Sequence, residues 1–80
     1  MPFPAPERAL LLAVRGVGPG VVSRLEQIGI HSLPALAGRD AGAICAEVSA
    51  LLGTTCWRNA PKARQAVEAA IAAAREAARA

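Results

Sequence analysis

The sequence predicts an all-α fold, a small bundle of about five short helices, and three observations predict it. Alanine, the strongest helix former, supplies much of the 54% apolar content. Strand-favouring residues are sparse, with Phe3 and Trp57 the only aromatics and the β-branched residues scattered. Glycine and proline punctuate the chain at intervals that suit short helices. The 80 residues are expected to form one domain, residues 1–80. A chain of that length buries only about 60–65% of the surface exposed when unfolded, which leaves no room for a large catalytic cleft.

Residues 1–6 carry prolines at positions 2, 4 and 6 and read as an extended lead-in. Pro6 suits the first position of a helix over Glu7 to Val14, whose apolar content is Leu10, Leu11, Leu12 and Val14. Arg15-Gly16-Val17-Gly18-Pro19-Gly20 reads as a tight reversal, the glycines on either side of Val17 taking positive φ. Pro19 opens a second helix that runs to Ile28. Val21 or Val22, Leu25 and Ile28 form its apolar face, and Gly29 closes it as a left-handed cap. Ser32 caps a short turn from Leu33 to Ala37, stopped by Gly38, so the hairpin section spans residues 7–38.

Two supporting helices are expected within residues 40–80. Asp40 caps the first and Gly53 stops it, with Ile44, Val48, Leu51 and Leu52 as its apolar stripe. Thr54 to Arg58 is a connector bearing Cys56 and Trp57. Asn59 caps the long final helix, with Pro61 in its first turn and Ala63, Val67, Ala70, Ile71 and Ala74 facing inward. The end, to Ala80, is expected to fray. No internal repeat is present.

Nine Lys and Arg against six Asp and Glu give a net charge of +3. All the cations but Lys62 are arginine, whose forked guanidinium suits phosphate. A mildly basic chain whose arginines merely solvate helix faces would look the same, so charge alone decides nothing. No stretch approaches the ~20 apolar residues that span a bilayer. The N-terminus lacks the basic and apolar regions of a signal peptide. With the two isolated thiols Cys45 and Cys56, this points to the cytoplasm and to no membrane partner.

The Gly16–Gly20 turn carries the functional expectation. The first N–H groups of a helix lack intrahelical acceptors, and the helix dipole places partial positive charge there. Gly16, Gly18 and Gly20 keep side chains away, so an anionic oxygen can approach the main chain. Pro19 donates nothing, which makes Gly18, Gly20 and Val21 the expected donors.

The run Leu12-Ala13-Val14-Arg15-Gly16-Val17-Gly18-Pro19-Gly20-Val21-Val22-Ser23-Arg24-Leu25 is followed by Ile28-Gly29-Ile30-His31-Ser32-Leu33 and Leu36. Together these resemble the helix-hairpin-helix motif, over residues 9–38. The segment from Ile30 through Gly53 to Cys56 is similar to small bacterial proteins of the pathogenicity-locus (mitomycin-resistance-type) family, which carry one such hairpin followed by two helices. The first resemblance implies sequence-independent binding of DNA phosphate by the amides of Gly16, Gly18, Gly20 and Val21. It also implies a monovalent cation at the carbonyls of Leu12, Val14 and Val17. Gly20 stands where a lysine is common and Val22 where a small alanine is usual. Arg15 and Arg24 are expected to make up for the missing cation. Proteins of this motif often pair two hairpins across a duplex, so a lone hairpin implies a homodimer or a larger DNA-processing partner. The alternative is a protein-docking module that uses the same hairpin.

Arg58, Lys62 and Arg64 surround the start of the last helix, where cations oppose the helix dipole. They read either as a second anion contact or as solvated surface, with Arg64 pairing Glu68. Trp57 is either a core plug or a stacking platform. His31, Cys45 and Cys56 lack the spacing and number of a structural zinc site, and no cofactor is expected beyond the hairpin cation. Asp40 and Glu47 have no nucleophile, base or metal set around them, so no enzyme and no small-molecule substrate is expected.

Overall fold

Glycine, proline and small polar caps set the helix boundaries. The structure, a computed structural model, describes residues 2–53 and 56–79, the side chains of Cys56 and Arg58 excepted. Among these residues there is no strand. The helices are α1 (Ala5–Leu12), α2 (Pro19–Gln27), α3 (Leu33–Ala37), α4 (Ala41–Leu52), the four-residue α5 (Cys56–Asn59) and α6 (Pro61–Arg79). The expected all-α bundle is therefore what forms. Expectations for Thr54, Thr55 and Ala80, and for the side chains of Cys56 and Arg58, lie outside the described residues.

Several caps fall where the sequence places them. Ser32 Oγ accepts from Ala35 N at the start of α3, and Asp40 Oδ2 accepts from Ala43 N at the start of α4. Gly53 ends α4 in the left-handed region, at φ 67°. Gly29, at φ 92°, sits just past α2. There Ile30 N donates to Leu25 O and Gly29 N to Glu26 O, the bond pair of a Schellman turn. Leu25 and Ile30, at 0% and 2% exposure, close its hydrophobic contact.

Four expectations need correction. The extended lead-in ends at Pro4, because α1 starts at Ala5 and stops at Leu12 instead of running from Glu7 to Val14. A proline at the second helical position loses nothing there, since first-turn N–H groups have no intrahelical acceptor. Asn59 does not flank the last helix: it closes α5, which occupies part of the expected connector, and Ala60 takes the flanking place before Pro61. Leu51 and Leu52 are 50% and 37% exposed, so the buried stripe of α4 is Ala41, Ile44, Cys45, Val48 and Ser49. Gly18 has φ −110°, which is extended backbone, leaving Gly16 as the positive-φ glycine of the turn.

The long α6 is the hub and packs against each of the other helices. It buries Ala66, Val67, Ala70, Ile71 and Ala74, while Ala63 is half-buried. Alanines on that face let neighbouring backbones approach closely, and the bulk of the core comes from Leu11, Leu25, Ile30, Leu36, Ile44 and Val48. Trp57 is half-buried against this core, which favours the plug over the stacking platform.

Carboxylates distant in sequence bind the N-terminal half together. Phe3, 3% exposed, is held by its N–H donating to Glu26 Oε2 at 2.9 Å, and Arg8 Nη1 lies 3.4 Å from the same oxygen. Glu7 Oε1 accepts from Leu33 N at 2.7 Å, so α1 supplies a cap to α3. At the other end of α3, Arg75 Nε donates to Ala37 O at 3.1 Å. Glu7→Ala leaves the Leu33 N–H without its carboxylate and is expected to cost about 1–2 kcal/mol. Urea unfolding followed by circular dichroism measures it, and an unchanged midpoint would show that the Glu7 cap contributes nothing.

Candidate functional site

The turn between α1 and α2 is shaped by three residues with different tasks. Gly16, at φ 88°, reverses the chain in a conformation that L side chains rarely adopt. Val17 then points inward at 6% exposure, its N–H donating to Val14 O at 3.0 Å, and ties the turn to the core. Gly18 is the N-cap of α2 and Pro19 its first residue, with the first helical bond made from Val22 N to Gly18 O.

That arrangement leaves the start of α2 open. Among the described residues no side chain caps it, and its first turn holds no acidic residue. Among the described residues, the N–H groups of Gly16, Gly18, Gly20 and Val21 donate to no acceptor within the protein. Gly16, Pro19 and Gly20 are exposed, and Gly18 and Val21 half-buried. The expected amide donors thus belong to one partly exposed corner of the chain. Of the carbonyls expected at a cation, that of Val14 closes the turn, while those of Leu12 and Val17 accept no hydrogen bond among the described residues.

The basic residues divide. Arg15 is exposed beside the turn, and with Gly16, Lys62, Gln65 and Ala66 it lines a groove of about 340 Å³. Lys62 is thereby brought to the hairpin from 47 positions along the chain (15 to 62). Arg24 is not: its Nη1 donates to Gln27 Oε1 at 2.9 Å, toward the C-terminal end of α2. Arg64 pairs with Glu68 at 3.8 Å, the solvated-surface alternative, and lies near Gly42 of α4. Arg8 pairs with Glu26 and Arg39 with Glu47.

His31 Nε2 lies 3.3 Å from Glu26 O, at the opposite end of α2 from the turn. Burial pushes the Cys45 thiol above its ordinary value; the Arg64 guanidinium opposes this, and Glu68 and Asp40 add to the rise. A thiol held protonated in the core acts as a small apolar residue. Among the described residues, no group of three His, Cys, Asp or Glu side chains comes together as a metal site. No helix of the described residues is long and apolar enough to cross a membrane. Comparison with protein-family models, with curated proteins and with solved structures finds no match to this chain.

Proposed function

We propose that the α1–turn–α2 unit is a helix-hairpin-helix motif and that the protein binds nucleic acid, DNA foremost, by gripping phosphate with backbone amides. The observation that carries this is the uncapped start of α2, where the N–H groups of Gly18, Gly20 and Val21 have no acceptor among the described residues. Such amides, backed by the helix dipole, suit an anionic oxygen. They touch no base edge, so binding is independent of sequence, and the protein binds without catalysing a reaction. Arg15 adds a full charge beside the turn.

Affinity is in the range of non-specific complexes, with dissociation constants of about 10⁻⁴–10⁻⁶ M. Two labelled duplexes of unrelated sequence and equal length should titrate with the same affinity in fluorescence anisotropy. A strong preference for one of them would contradict a grip made only through phosphate.

Arg15→Ala is expected to weaken binding several-fold and to flatten the salt dependence by about one unit of slope. Arg24→Ala is expected to change neither, since its guanidinium is directed to Gln27. Equal losses in the two variants would place the DNA along α2 instead of at its start.

The competing reading is a protein-docking hairpin. It is favoured by Leu10 and Leu12, both 38% exposed on the helix that leads into the turn. Leu12→Ser separates the two, since it is expected to leave DNA affinity intact.

A further inference from the structure

We infer that the groove between Arg15 and Lys62 is a second phosphate site, contiguous with the hairpin, that holds the next phosphate of the same strand. The inference rests on the hairpin gripping the first.

It starts from which cations have partners. Among the basic residues whose side chains are described, Arg8, Arg39 and Arg64 are in ion pairs, Arg24 donates to Gln27, and Arg75 donates to Ala37 O. Arg15, Lys62 and Arg79 have no ion pair or side-chain hydrogen bond among the described residues. Arg79 is the last residue of α6. The other two, from different halves of the sequence, line one groove of about 340 Å³ whose lining, among the described residues, includes no carboxylate. Two unpaired cations lining one groove repel, and an anion between them removes that repulsion.

The chemistry of the lining fits a phosphodiester. Arg15 offers a forked guanidinium, Lys62 a compact ammonium, and Gln65 an amide that hydrogen-bonds phosphate or sugar oxygens. Lys62 lies in the first turn of α6, which contains no acidic residue, so the local helix dipole also favours an anion. Gly16 belongs both to the turn and to the groove wall, which makes the two sites neighbours on one surface. A strand leaving the α2 amides therefore crosses Gly16 and reaches Lys62. Nothing in the groove reads a base, so this second contact adds affinity and direction but no sequence preference.

The test is a titration of ¹⁵N-labelled protein with a short DNA duplex at low salt, for the wild type and for Lys62→Gln. Lys62 is exposed, so the substitution leaves the fold in place. The expected result is that amide signals of Gly16, Gly18, Gly20 and Val21 move together with those of Lys62, Gln65 and Ala66. In Lys62→Gln the hairpin signals still move, the α6 signals do not, and affinity falls about three- to tenfold with a salt slope lower by about one. Hairpin shifts without α6 shifts, or wild-type affinity in Lys62→Gln, overturn the second site and leave the hairpin grip standing. Shifts at α6 alone overturn the continuous strand path together with the hairpin grip, and no shifts anywhere overturn both sites.

Discussion

Gly18→Asp is expected to weaken nucleic-acid binding at least tenfold while leaving the domain as stable as before, or a few tenths of a kcal/mol more so. Gly18 is the N-cap of α2, its backbone is extended, and a Cβ built on it meets nothing within 4 Å. Aspartate is among the best N-cap residues, and its carboxylate accepts from the N–H groups two and three positions on. In this helix those belong to Gly20 and Val21. The introduced carboxylate thus occupies the place proposed for phosphate and repels any phosphate that approaches. Anisotropy at low salt should show at least a tenfold loss of affinity, with a melting temperature that is unchanged or raised. Undiminished binding by a well-folded Gly18→Asp protein would move the interface away from the start of α2. Most site variants leave doubt whether lost binding reflects lost folding, and here binding is expected to fall with stability unchanged or raised.

The second large effect is on stability. Leu25→Ala should cost about 2–5 kcal/mol, a large share of the roughly 4–12 kcal/mol that a domain of this length has in total. Leu25 is fully buried, and it closes the Schellman turn against Ile30 at the point where α2 ends and the chain turns toward α3. A cavity there loosens the helix that presents the hairpin. Thermal denaturation should show a melting temperature lower by roughly 10–30 °C. Leu51→Ala is the control: at 50% exposure it is expected to stay within about 0.5 kcal/mol of the wild type. Similar losses in the two variants would contradict burial as the source of the difference between Leu25 and Leu51.

Local chemistry was legible in the sequence and long-range pairing was not. Ser32, Asp40, Gly29 and Gly53 act where they stand, because a cap or a left-handed turn is made by a residue and its immediate neighbours. Gly18 misled because glycine permits positive φ without requiring it, and as the N-cap of a helix its backbone is extended. Leu51 and Leu52 misled because helical spacing says which residues share a face, not whether another element covers that face near the helix end. Phe3 anchored by Glu26, and Glu7 capping α3, join residues more than twenty positions apart and carry no periodic signal. The candidate site shows the same division. The glycine turn and its amides belong to one short segment and could be named from it. That Lys62 lines one groove with Arg15, while Arg64 turns to Glu68, depends on how α6 packs and on which side of it each residue falls.

The central claim is that the hairpin corner, with the amides at the start of α2 and Arg15 and Lys62 beside them, grips phosphate, and the dependence of wild-type DNA affinity on salt tests it directly. Anisotropy titrations of a short duplex from low to moderate salt should give micromolar binding at the low end. With Arg15, Lys62 and the hairpin engaged, log affinity should fall against log salt with a slope of about −2 to −3. No binding at the lowest salt, or an affinity that ignores salt, would contradict it.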